Sequence, residues 1–405
     1  MAKFNDPEIE ALVEKEWQRQ NSGLELIASE NYPSPEVREA LASPFMFKYS
    51  EGYPGKRYYA GNENVDTVEN LACERAKKLF QAEYVNVQPL SGGPANIAVY
   101  MAFLEPGDTV LSLALDHGGH LSHGLKANFS GRFYNFIHYH VDPKTFIIDM
   151  DEVEKLTAEH KPKMIVAGFS AYSRNLDWQR FRTIADKVGA ILFADIAHIA
   201  GLIAGKVLEN PVPLCDVVGT TTHKTLRGPR GAIIMSKEKY GKKLARAVFP
   251  GVQGGPHDHV TLAKAIAFGE ALKPEFSKYT KQIISNAQTL ARTLINSAIP
   301  VLTGGTDNHL LLLDVSSLGT DGAEIEILLN DAGIRVNKNL LPFDRGTPQA
   351  PSGIRLGTPA LTTRGLRELE MELIGQWIAE IIKEKQVSDS QKVAIKELAL
   401  RFPIR

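Results

Sequence analysis

From Val65 to Ser236 the chain alternates short apolar or β-branched runs with stretches whose apolar positions recur at helical spacing. Tyr84–Gln88, Thr109–Leu115, Met164–Gly168, Ile191–Asp195 and Val217–Thr221 read as strands buried on both faces, and the segment 133–141 is a further strand candidate. Val65–Phe80, Ala95–Leu104, Asp151–His160 and Asp177–Val188 carry helical patterns. Such alternation predicts an α/β fold, a mainly parallel sheet covered by helices. Beyond Gly255 the pattern changes. Thr261–Asn296 is helical almost throughout, with a break near Pro274, and is followed by the strand His309–Val315 and helices over Asp321–Ala332 and Leu369–Lys385. The expected division is an N-terminal arm of helix and loop (1–50), a large α/β domain (51–280) and a smaller α+β C-terminal domain (281–405).

At 405 residues the chain can build more than one core. Its 46 basic and 47 acidic residues leave a net charge of −1, so nothing in the balance draws nucleic acid or an anionic membrane, and neither is expected as a partner. The N-terminal stretch lacks the apolar core of a signal peptide, and no apolar run approaches the ~18 residues of a membrane span. A soluble cytoplasmic protein is the expectation. Cys73 and Cys215 have no CxxC partner, which argues against a disulfide framework or a thiolate metal site.

Ligands of open α/β sheets bind beyond the carboxyl ends of the strands, so the chemistry is sought there. Leu90-Ser91-Gly92-Gly93-Pro94 joins a strand to a helix through small residues; it suits either a phosphate held by free N–H groups or a plain helix-starting turn. Asp195 ends a buried apolar strand and needs a partner, either a protonated heterocyclic nitrogen or an arginine. Lys224 follows a buried strand amid hydroxyl residues. A lysine is usually a solvated surface charge, but this setting also suits Schiff-base chemistry. A phosphate cup, a carboxylate for a pyridinium nitrogen and an amine for an aldehyde are the three groups that pyridoxal phosphate (PLP) requires. His117, His120 and His123 recur at spacing three, but the Gly118-Gly119 pair breaks a shared helical face and no carboxylates complete a ligand set, so no metal is expected.

Eight segments extend this reading: LELIASENY, SEGYPGKRYY, HGGHLSHG, ADIAHIAG, TTTHKTLRGPRG, FPGVQGGP, GGTDNHL and VNKN followed by SGIRLGTPALTTRG. Together, and in this order, they resemble the serine hydroxymethyltransferase (glycine hydroxymethyltransferase) family over residues 8 to 370. The resemblance implies the PLP-dependent transferase fold of type I and the reversible conversion of L-serine and tetrahydrofolate to glycine and 5,10-methylenetetrahydrofolate, a step of one-carbon metabolism and amino-acid biosynthesis. It implies that Lys224 holds PLP covalently, Asp195 pairs with the pyridinium nitrogen, His198 and Ser170 contact the phenolic oxygen and His120 stacks on the ring. Ser91, Gly92, Gly93 and His223 would cup the phosphate, with Tyr49 and Gly255 from a neighbouring subunit, so that the active unit is a homodimer or a tetramer of such dimers. Arg355 and Ser29 would clamp the amino acid's carboxylate. Glu51, with Tyr59 beside it, would be the acid/base group near the transferred carbon; His223 belongs with Lys224 among the catalytic residues. Leu115, Gly119, His120, Leu121, Asn339 and the loop Thr347-Pro348-Gln349 would meet the folate.

Two segments depart from the family's pattern. The phosphate loop there reads His-Ser-Gly-Ser-Gln-Ala-Asn, whereas here Gly93-Pro94 removes a hydroxyl and an N–H. Thr347-Pro348-Gln349 replaces a Ser-Pro-Phe pattern common in bacterial members. A PLP-dependent aldolase, or a hydroxymethyltransferase acting on threonine or α-methylserine, shares Lys224, Asp195 and Arg355 and is the alternative; Glu51 and Asn339 favour the folate-dependent reaction.

Overall fold

The computed structural model describes residues 4–405. The chain forms two compact units, one spanning Pro33–Gln282 and the other joining the N-terminal residues up to Tyr32 to Ile283–Arg405. This grouping differs from the three-part division expected above, because Leu24–Glu25 pairs in parallel with Ile334–Arg335 and buries Leu24 and Leu26 in the same core as the C-terminal helices. The boundary between the units falls inside the helix Pro274–Asn296.

The larger unit contains a seven-stranded sheet. Its strands are β1 (Tyr84–Asn86), β2 (Thr109–Leu113), β3 (Asn135–Tyr139), β4 (Met164–Gly168), β5 (Ile191–Asp195), β6 (Val217–Thr221) and β7 (Ala232–Ser236), in the order β1-β7-β6-β5-β4-β2-β3. Pairings among β2 to β6 are parallel, as the continuous apolar runs predict, and every residue of β4 and β6 is buried. β7 was not foreseen. It runs antiparallel to both β6 and β1, and the Thr222–Gly231 connection before it is too short for a helical crossover.

The covering helices start where local chemistry allows. Asp149 and Asp177 accept backbone N–H groups at the first turns of Met150–His160 and Trp178–Val188, and Trp178, Phe181, Ile184 and Ala185 form the buried stripe of the second. The helix Gly92–Phe103 begins directly at the small-residue loop after β1 and packs Ala95, Ala98, Val99 and Tyr100 into the core. The predicted long helical stretch is two helices, Asp258–Ala271 and Pro274–Asn296.

The smaller unit holds a three-stranded antiparallel sheet of β8 (Leu310–Asp314), β9 (Asn337–Asn339) and β10 (Gly353–Gly357), with β10 central. Leu311, Leu313, Ile354 and Leu356 pack with Ile325, Leu329, Ile374 and Ile378 from the helices Gly322–Ala332 and Glu368–Glu384. A further helix, Asp389–Arg401, follows, and Ser388 and Gln391 form its capping box. The buried guanidinium of Arg364 donates to the carbonyls of Gly23, Asn21, Ala399 and Phe402, tying the first and last segments of this unit together. Among the described residues no helix is long and apolar enough to cross a membrane.

Candidate active site

The carboxyl ends of β4, β5 and β6 lie side by side, with Gly168 opposite Asp195 and Asp195 opposite Gly219. Asp195, 9% exposed, accepts hydrogen bonds at Oδ2 from His123 Nε2 at 3.0 Å and Asn96 Nδ2 at 2.9 Å, and at Oδ1 from the Ala197 N–H at 3.1 Å. Burial alone would raise its pKa, yet the bonds from His123 and Asn96 and the charges of His123 and His120 hold it well below the ordinary carboxylate range. Asp195 is therefore an ionised carboxylate at the base of the strand ends.

The sequence assigns no role to Asn96, and raises His123 only as a candidate metal ligand, not as a partner of Asp195. The three histidines at spacing three turn out to do different jobs. His117 Nδ1 accepts the Val141 N–H, His120 Nδ1 pairs with Ser122 Oγ at 2.7 Å, and His123 meets Asp195. Ser122 Oγ also accepts from Asn96 Nδ2, so His120, Ser122, Asn96, Asp195 and His123 form one connected network. Among the described residues no group of three or more His, Cys, Asp or Glu is arranged to hold a metal ion.

Lys224, 9% exposed, sits on the turn after β6. The turn is fixed by Thr222 N–H to Gly231 O at 3.0 Å, Gly228 N–H to Thr222 O at 2.7 Å and Thr222 Oγ1 to Pro229 O at 2.6 Å. Thr225 Oγ1 donates to the His198 carbonyl and accepts the Gly201 N–H, each at 2.9 Å, so the turn is bonded to the segment after β5 as well. A Cβ on Gly201 would lie 2.1 Å from Thr225 O, so only glycine permits this approach. His198 is buried, with Nε2 3.4 Å from Ser170 Oγ.

At the start of Gly92–Phe103 the Ser91 side chain makes no capping bond, and the first-turn N–H groups with the helix dipole favour an anion. A Cβ on Gly92 would lie 2.9 Å from Thr221 Cγ2, so the close approach of the loop to β6 depends on that glycine; at Gly93 nothing lies within 4 Å. Gln253, also missed from the sequence, braces the loop by accepting the Leu90 N–H at 3.3 Å and donating to Gln88 O at 2.9 Å. His223 is held neutral: burial first, then the charges of Lys224 and Arg230, push its pKa down to about 3. Its Nδ1 is buried and, among the described residues, has no hydrogen-bond partner.

Tyr49, Glu51, Tyr59 and Gly255 come together on the same unit. Tyr49 Oη donates to Glu51 Oε1 at 3.4 Å, its ring meets that of Tyr59 edge-on at 4.9 Å, and a Cβ on Gly255 would touch the Tyr49 ring at 3.4 Å. Tyr49 and Tyr59 are nonetheless about half exposed, as are Leu115 and Leu121, which flank Gly119 and His120. On the smaller unit, the buried Arg355 on β10 donates from Nε to Asn337 Oδ1 at 3.0 Å, and burial pushes its pKa down to about 10. The Ser29 segment runs beside that strand through the bond from Gly357 N–H to Leu26 O at 2.7 Å. Asn339 lies opposite Gly353, and Thr347, Pro348 and Gln349 form an exposed turn anchored by Asp344, which accepts from Leu341, Gly346 and Ser352.

These groups fit PLP on this structure's own terms: an ionised buried carboxylate, a lysine held on a rigid turn, a glycine-lined helix start and an orphaned imidazole nitrogen. The family model described as serine hydroxymethyltransferase matches residues 2–378. The chain is similar to a protein named serine hydroxymethyltransferase from Coprothermobacter proteolyticus, 56% identical over 400 residues that cover 98% of this chain and 96% of the relative. Its similarity to the proteins of that name from Acinetobacter baylyi and Leptospira biflexa is 54% identity, covering 98% of this chain and 97% of each.

Proposed function

The chain belongs to the serine hydroxymethyltransferase family, and from that premise we propose that it is the PLP-dependent enzyme that interconverts serine plus tetrahydrofolate with glycine plus 5,10-methylenetetrahydrofolate. The observation that carries the reading is the ionised Asp195, accepting three hydrogen bonds at the carboxyl edge of the sheet. When bound, PLP supplies an aldehyde carbon and an electron-withdrawing ring that accepts the electron pair left when the hydroxymethyl group departs.

The chain's own groups divide the remaining work. Lys224 would provide the amine that holds the cofactor's aldehyde. Asp195 stabilises a proton on the ring nitrogen, and His123 and Asn96 keep its charge in place. Ser91, Gly92, Gly93 and His223 receive the phosphate; the vacant His223 Nδ1 supports that role. His198 and Ser170 serve the phenolic oxygen and His120 the ring face. Arg355, with Ser29, is assigned the substrate carboxylate, a bidentate task suited to a guanidinium. Leu115, Gly119, His120, Leu121, Asn339 and Thr347-Pro348-Gln349 are assigned to folate. The exposed Tyr49 and the half-buried Gly255 are assigned to a neighbour's phosphate, which makes the working unit at least a homodimer, acting in the cytoplasm.

Glu51 is the acid/base group that relays a proton at the transferred carbon, with Tyr59 alongside. Glu51→Gln is expected to lower folate-dependent serine cleavage by about 10²-fold or more while glycine still binds to the loaded enzyme with an affinity close to the parent's. Steady-state kinetics beside a glycine titration checks this, and equal loss of both makes Glu51 structural.

The helix start suggests a second expectation. The open space at Gly93 accepts a serine side chain, so Gly93→Ser should add one bond to the phosphate and tighten PLP by ~1–2 kcal/mol. Equilibrium dialysis measures it; unchanged affinity removes the idea.

The test of the function is the visible spectrum of the purified protein after PLP, then glycine, then tetrahydrofolate. A PLP absorption band that gives a new long-wavelength band only when both ligands are present supports the reading, with borohydride trapping of the cofactor on Lys224 carried out on a separate sample. A response to glycine that ignores folate favours an aldolase for threonine or a related 3-hydroxy amino acid.

A further inference from the structure

Lys264 has no part in the chemistry above, yet it is 2% exposed and lies on the helix Asp258–Ala271 against the base of the phosphate loop. Its Nζ donates to the carbonyls of Val87 at 2.6 Å, Ala232 at 2.9 Å and Pro89 at 3.1 Å. An ammonium has three donors, and here each finds an acceptor. Two of those acceptors belong to the segment between β1 and the helix start, and the third is the first residue of β7. Pro89 O also accepts the Ala232 N–H at 3.2 Å, so the lysine completes a junction between the loop and the antiparallel strand. Gly231 makes room for it: a Cβ there would lie 2.6 Å from Lys264 Cε.

The loop is held from its other sides too. Gln88, between the two carbonyls that Lys264 gathers, donates to Glu69 and to Gly52 O, each at 2.9 Å, and Glu69 is paired with Arg57 at 2.7 Å. Burial pushes the Lys264 ammonium down to about 7, opposed by the nearby Glu69 and Cys73. Keeping a cation there is costly unless its bonds are of use.

We propose that Lys264 is a positioning residue for the cofactor's phosphate: its buried ammonium gathers the Val87, Pro89 and Ala232 carbonyls and so fixes the Leu90–Gly93 turn whose N–H groups receive the anion. The proposal rests on the reading of that turn as the PLP phosphate cup. Lys264 touches neither cofactor nor substrate; it acts through the backbone of the loop.

Two variants test it from opposite directions. Lys264→Met keeps an unbranched stem and removes the donors, whereas Gly231→Ala keeps the ammonium and pushes the stem aside. For each, the far-ultraviolet dichroism of the cofactor-free protein, hydrogen exchange of residues 87–95 and the PLP dissociation constant are measured. The expected result is a folded protein with faster exchange confined to that segment and PLP bound at least tenfold more weakly, while KM for serine at saturating PLP changes less than twofold. If Lys264→Met does not fold, Gly231→Ala alone decides, on the same loss of PLP affinity. PLP affinity within twofold of the parent's in a folded variant, or exchange raised across the whole sheet, overturns the proposal. A parent chain that binds no PLP overturns the functional reading and the proposal with it; a parent that binds PLP beside variants of unchanged affinity overturns the proposal alone.

Discussion

Lys224→Gln is expected to reduce multiple-turnover serine cleavage by about a thousandfold or more, which corresponds to at least ~4 kcal/mol of lost transition-state stabilisation. The side chain is buried on a turn whose backbone is bonded to β7's approach at Gly231 and to the segment after β5 through Thr225. Glutamine matches much of the stem's length without an amine, so the turn should keep its conformation. On the proposed reading, what disappears is the amine that would hold the cofactor's aldehyde. Without it, release of the product would depend on slow attack by water. PLP itself should remain bound, because Asp195, His198 and the helix start at Gly92 are untouched. The checks are the steady-state rate, the absence of borohydride-trapped cofactor in the mass of residue 224's peptide, and the retention of PLP through gel filtration. Loss of PLP together with loss of rate would mean that the covalent bond, rather than the cup, supplies most of the cofactor's affinity. Near-normal turnover would remove Lys224 from the mechanism.

How far the sequence could lead is set by the range of the interactions involved. The parallel strands β2, β4, β5 and β6 are legible because burial on both faces favours a short run of apolar, small or β-branched residues, and that pattern is local. β7 is equally apolar and was missed; only its short connection from β6 marks it, and its neighbours are settled by pairing with β1, far away in sequence. Asp195 and Lys224 were legible as polar residues ending apolar strands. Their partners were not. His117, His120 and His123 are indistinguishable by spacing, and the fold alone turns His123 toward Asp195. Lys264 is hidden more completely, since in the sequence it is one lysine in a helix, while its acceptors Val87 and Pro89 are 177 and 175 residues away. The joining of Leu24 and Leu26 to the C-terminal core was likewise invisible, because a two-residue strand leaves no periodic trace. Glu51 and Arg355 were assigned through the motifs around them; no local pattern separates Glu51 from an ordinary turn residue.

Asp195→Asn tests the electrostatic half of the site and should lower kcat by about 10²–10⁴-fold, ~3–5 kcal/mol. On the proposed reading the carboxylate keeps a proton on the ring nitrogen, and a neutral amide would exert no such hold. The local geometry adds to the loss. His123 Nε2 and Asn96 Nδ2 both direct donors at Oδ2, so an amide that places its NH2 there opposes two donors, and one that rotates its oxygen there turns its NH2 toward the Ala197 N–H. Either way a buried donor is left without an acceptor, which costs ~1–3 kcal/mol of folding stability. The pH dependence separates the two effects. The folded-state pKa of Asp195 lies below its unfolded value, so its stabilising contribution is complete above about pH 4 and is lost as pH falls toward the folded pKa. The parent's unfolding free energy should therefore decline more steeply below pH 4 than the variant's, while at pH 7 the variant is the less stable of the two. Denaturant unfolding of the cofactor-free proteins at pH 3 and pH 7 measures this, and kcat at pH 7 measures the chemistry. A variant with normal kcat and the parent's acid slope would show that Asp195 is neither the ring's partner nor an ionised buried group.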